Sequence, residues 1–168
     1  PSLREKLILQ SKCGIVPGKM YDFSREHILT AVDGILKRLH TEYLDVLVLH
    51  RPDALMEPEE VAAAFDSLRD TGKVRHFGVS NQKPSQMALL QKYLTQPLVT
   101  DQLQFSLTNA GMISSGMEVN MFTEGGVERD GSVLDYCRLH DITIQTWSPF
   151  QYGFFEGVFL GSDKYPQL

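Results

Sequence analysis

Short apolar runs alternate along this chain with longer segments in which apolar residues recur every three or four positions. The runs are Leu7-Ile8-Leu9, closed by Gln10-Ser11-Lys12; Val46 to Leu49, closed by His50; Val74 to Val79, closed by Ser80-Asn81; Leu98 to Phe105; and Ile142 to Trp147. Apolar runs of this length with polar ends predict buried parallel strands. Between them, Ile28, Ala31, Val32, Ile35, Leu36 and Leu39 share one helical face, and Val61, Ala64, Phe65 and Leu68 form a second stripe. Met87, Leu90 and Leu94 predict a third helix, and residues 132–140 a shorter fourth.

The punctuation agrees with this reading. Ser24 is placed to cap the first helix, Pro58 with Glu59 and Glu60 suits the first turn of the second, and Thr71-Gly72 suits its end. Strands alternating with helices imply βαβ units and a parallel sheet. A doubly wound sheet stays open on this pattern, but no Gly-x-Gly-x-x-Gly follows any strand. Residues 106–131 break the rhythm. This long loop holds Met112, Met117, Met121, Gly125 and Gly126, and reads equally as a lid or binding loop and as a mobile segment.

Composition narrows the function classes. A chain of 168 residues with 42% hydrophobic and 22% charged residues fits one globular domain. The net charge of −5, without a basic patch, argues against nucleic acid or a membrane surface as partner. Cys13 and Cys137 form no Cys-x-x-Cys pair and predict reduced structural thiols, and no metal site is expected. The absence of a long apolar run or a leader pattern points to the cytoplasm. The opening Pro1-Ser2, in place of Met, reads as processed or cut from something longer.

Lys12, His50, Ser80-Asn81, Gln102 and Trp147-Ser148 all stand at or near the C-terminal ends of expected strands. Each alone has an ordinary reading: a surface lysine, a structural histidine, a helix-cap pair, a core tryptophan. Five such positions on five consecutive strands change the weighting, because these tips face one mouth in a parallel barrel.

These residues give the chain its family likeness. Leu44 to Asp53, Gly72 to Asn81 and Trp147-Ser148-Pro149, with Lys12 and Gln102 in order, make the sequence resemble the aldo/keto reductase superfamily. The resemblance implies an α/β fold, a TIM (β/α)8 barrel incomplete in this stretch. It covers about the third to seventh βα units, with about five strands and four helices in one partial domain over 1–168. It implies NADPH as cofactor and a small aldehyde or ketone as substrate. Lys12 and His50 then match two members of a catalytic tetrad, while the Asp and Tyr fall before this stretch and the 2′-phosphate site falls after it. Ser80, Asn81 and Gln102 match residues that hold the nicotinamide carboxamide. Trp147 matches the aromatic platform under the ring, and Ser148, Pro149 and Phe150 match the start of the pyrophosphate loop.

Other expectations follow. Tyr21 or Tyr152 is a weak stand-in for the missing acid. Leu55, Met56 and the 106–131 loop are candidates to line the substrate pocket. An open piece of barrel, taken alone, is expected to self-associate or to be marginally stable. Two further readings are a non-catalytic NADP(H)-binding module, like the channel-associated relatives, and a catalytically dead truncated remnant. His50 favours the enzyme.

Overall fold

The structure, a computed structural model, describes residues 3–151, 157–161 and 163. A 3-10 turn at Leu3–Lys6 leads to strand β1, Gln10–Cys13, and then to a small hairpin of β2, Ile15–Val16, and β3, Met20–Tyr21. Next come helix α1, Arg25–Leu39; β4, Leu44–Leu49; α2, Pro58–Asp70; β5, Val74–Ser80; α3, Pro84–Gln91; and β6, Leu98–Gln104. Helices α4, Gly111–Met117, and α5, Val133–Leu139, precede β7, Thr143–Trp147. Five strands make one sheet in the order β1-β4-β5-β6-β7, every neighbouring pair parallel.

Local chemistry sets the helices. Ser24 Oγ accepts from the His27 N–H at 3.2 Å, which caps α1, and the helix closes at His40 in the left-handed region with φ 49°. Ile28, Val32, Ile35 and Leu36 then point into the core. On α2, Phe65 stacks on Phe77 of β5 with ring centroids 4.0 Å apart. Leu47, Leu49, Phe77, Val79 and Leu103 give the sheet its helix-facing side. Gly78 is needed where β5 and β6 shift register, because a Cβ there would stand 2.7 Å from the Thr100 carbonyl oxygen.

The sheet is rolled. In a flat five-stranded sheet its edge strands would lie about 19 Å apart at the usual spacing. Yet Gln10 on β1 and Gln145 on β7 hydrogen-bond directly, at 2.7 and 2.9 Å. The inner face is therefore a curved trough, with the helices outside it. At the other end of the strands, Arg4 and Arg75 pair with Asp45 at 2.8 and 3.0 Å, and both guanidinium groups lie 3.9 Å from the Tyr43 ring centroid.

The structure corrects two expectations. The first strand starts at Gln10, not Leu7; Leu7 and Ile8 are exposed. The loop 106–131 contains α4, so the described residues hold five α-helices where four were expected. Its start is also fastened: Ser106 Oγ and Thr108 Oγ1 both donate to the Gln151 carbonyl, at 2.8 and 2.9 Å. No helix among the described residues is long and apolar enough to cross a membrane.

Candidate active site

Side chains two apart on a strand share a face. On β1 this puts Gln10 and Lys12 together; on β7 it pairs Gln145 with Trp147. Register carries the same face across the sheet, since Lys12 lies opposite Val48 and Gln102 opposite Gln145. Lys12, His50, Ser80, Asn81, Gln102 and Trp147 line one cavity of about 190 Å³ at the C-terminal end of the sheet. Arg51, which the sequence reading missed, completes its lining.

Hydrogen bonds fix these groups relative to one another. The Trp147 indole N–H donates to Asn81 Oδ1 at 3.1 Å, and Asn81 Nδ2 donates to Ser80 Oγ at 3.0 Å. Ser80 Oγ donates to the Gln102 carbonyl at 2.9 Å, and Lys12 Nζ donates to Gln102 Oε1 at 2.6 Å. The Asn81 backbone sits in the left-handed region, φ 56°, which asparagine adopts more readily than most residues. The side chains of β1, β5, β6 and β7 are thus linked around the trough.

Electrostatics set the state of His50. Burial, then the positive charges of Lys12 and Arg51, hold its pKa below the ordinary histidine value. The imidazole is therefore neutral at pH 7 and offers one N–H donor and one acceptor. Behind the site, Asp101 is 0% exposed and neither carboxylate oxygen has a hydrogen-bond partner. Burial pushes its pKa up to about 7, although the nearby Gln82 and Asn81 backbone N–H groups pull the other way.

The remaining expected site residues stand apart. Ser148, Pro149 and Phe150 do not line this cavity, and Phe150 packs edge-on against Phe159 with centroids 6.4 Å apart. Tyr21 is half-exposed on β3 and also outside the cavity, and Tyr152 lies outside the described residues. Leu55 is exposed and Met56 packs on the core, and neither lines this cavity of about 190 Å³. A larger cavity of about 420 Å³, beside the mouth and sharing Asn81 with it, takes Met112 from the long loop. Gln10 and Gln145 were also missed, although period two in the first and last strands places them beside Lys12 and Trp147.

The aldo/keto reductase family model matches residues 1–166. The oxidoreductase YcsN of Bacillus subtilis is 39% identical over 162 residues, covering 91% of this chain and 49% of that protein. The oxidoreductase YdhF of Escherichia coli is 43% identical over 123 residues, covering 69% and 41%. A 6-dehydroglucose reductase of Agrobacterium fabrum is 34% identical over 172 residues, covering 96% and 52%. The chain thus spans about half the length of these relatives. Among solved structures, a thermostable aldo-keto reductase in complex with the inhibitor epalrestat superposes with a TM-score of 0.66 at 26% identity, over 86% of this chain and 45% of that one. A match over nearly every residue, with the rolled parallel sheet it requires, makes this chain a member of the aldo/keto reductase family.

Proposed function

We propose that the protein carrying this chain is an NADP(H)-dependent oxidoreductase that reduces an aldehyde or ketone to an alcohol. The observation that carries the reading is the convergence of Lys12, His50, Ser80, Asn81, Gln102 and Trp147 on one cavity. Their donor set fits a nicotinamide ring. After the bonds described above, Asn81 and Gln102 each keep an amide N–H and a carbonyl lone pair for a carboxamide. The indole of Trp147 supplies a flat face for stacking.

Reduced nicotinamide bound there supplies the hydride. The chain's own residues manage the charge that follows. Neutral His50 donates a hydrogen bond to the substrate carbonyl oxygen and fixes its direction. The Lys12 ammonium stabilises the negative charge that builds on that oxygen, where preorganised donors contribute most. The proton that completes the alcohol is assigned, on the family resemblance, to the tetrad tyrosine, which is not among these residues. Ser148, Pro149 and Phe150 are assigned to the path of the pyrophosphate on the family resemblance alone. A small carbonyl compound as substrate accords with the name of the Agrobacterium relative, and the cytoplasm is the proposed location.

NADPH titration followed by Trp147 emission, the chain having a single tryptophan, tests the cofactor half. Saturable quenching with energy transfer to the reduced ring is expected. For the catalytic half, His50→Ala in the intact protein should lower kcat by about 10²–10³-fold, the usual cost of one transition-state donor. Unaltered turnover in that variant would remove His50 from the mechanism.

A further inference from the structure

We propose that Gln145, clasped by Gln10, is a positioning residue that fixes which way the Gln102 amide faces in the cofactor site. This rests on the cofactor reading above and extends it to two residues outside the cavity lining. An amide side chain can turn over, exchanging its oxygen and nitrogen, and the two orientations present opposite hydrogen-bonding edges. Something must choose between them if Gln102 is to recognise a carboxamide.

The choice is made at both ends of Gln102. A protonated lysine carries donors only, so the Gln102 atom 2.6 Å from Lys12 Nζ is Oε1. Nε2 then faces Gln145, whose Oε1 accepts it at 3.4 Å. Gln145 and Gln10 fix each other's orientation. Gln10 Nε2 donates to Gln145 Oε1 at 2.7 Å, and Gln145 Nε2 donates to Gln10 Oε1 at 2.9 Å. Turning Gln145 over alone would set oxygen against oxygen and nitrogen against nitrogen, losing both bonds. Turning Gln10 and Gln145 over together would keep the clasp but set Gln145 Nε2 against Gln102 Nε2. Gln145 Oε1 thus uses its two lone pairs on Gln10 and Gln102. Gln102 is left with one lone pair and one N–H, the complement of the N–H and C=O of a carboxamide.

The test uses intact protein with 15N-labelled glutamine side chains. Without ligand, the Gln102 NH₂ should exchange slowly with solvent. Gln145→Leu removes its acceptor and should speed that exchange, while Gln145→Glu keeps an acceptor and should restore protection. Gln10→Leu, which breaks the clasp from its other end, should also speed it. NADPH should bind Gln145→Leu about fivefold more weakly, as expected for one net hydrogen bond. Binding of 2′-phospho-ADP-ribose, which lacks the nicotinamide, should not change. Equal weakening of both ligands, or unaltered Gln102 exchange in Gln145→Leu, would overturn the positioning role. If wild-type protein failed to bind NADPH while the exchange pattern held, the cofactor reading would fall and the amide relay would stand.

Discussion

Replacing Asp101 with Asn should make the protein more stable at pH 8 and nearly neutral in effect at pH 4. The carboxyl is buried behind β6 without a hydrogen-bond partner, and its pKa rises from an ordinary 3.8 to about 7. In the unfolded chain it releases its proton near 3.8; in the folded chain it keeps it to about 7. Between these values the folded state binds more protons, so stability falls as pH rises through that window and then levels off. At about 1.4 kcal/mol per tenfold change in affinity, the loss approaches about 4 kcal/mol above pH 7, an upper bound because water entry or local relaxation would soften it. His50 contributes the opposite slope, since its lowered pKa costs stability as pH falls below the unfolded histidine value. The informative quantity is therefore the difference between wild type and Asp101→Asn. Urea unfolding of both at pH 4, 5, 6, 7 and 8 measures it. A difference that stays constant across the series, or that favours wild type at pH 8, would refute the buried-carboxyl argument.

Two perturbations probe the scaffold instead. Gly78→Ala drives a methyl group toward the Thr100 carbonyl and should cost about 3 kcal/mol, the upper end of overpacking penalties, read as a lowered urea midpoint; an unchanged midpoint would mean that β5 and β6 can part freely. Ser24→Ala removes the acceptor for the His27 N–H and should cost about 1 kcal/mol, with Ser24→Asp recovering most of it.

The elements that were legible are those in which one physical signal dominates. Strand β4 is buried throughout and β5 ends in the buried run Phe77 to Ser80, and α1 and α2 carry clear stripes with a cap or a first-turn proline. Leu7 and Ile8 misled because an apolar run gives no sign that the chain has turned: Arg4 Nη1 bonds the Leu7 carbonyl and holds the segment outside the sheet. Helix α4 was hidden because Gly111, Ser114, Ser115 and Gly116 supply neither propensity nor a stripe, and none of its residues is buried. At the site, strand-end position was enough to single out Lys12, His50, Ser80, Asn81, Gln102 and Trp147. Gln10 and Gln145 escaped because a glutamine on an edge strand reads as a solvent residue; only the curvature of the sheet brings the pair together. Asp101 carried a usable signal, since it shares the helix-facing phase with Leu103 along β6.

The clasp between Gln10 and Gln145 also bears on how the molecule reaches its final state. It joins residues 135 positions apart, so its formation closes a loop spanning most of the chain. Helices α1 and α2 and the β4–β5 pair depend on contacts much closer in sequence, and loop closure favours such contacts first. The inner face should therefore acquire its order after the outer layer has assembled. A nascent chain can hold nearly all its secondary structure while its trough remains chemically unformed, and competence for binding becomes a late event in folding.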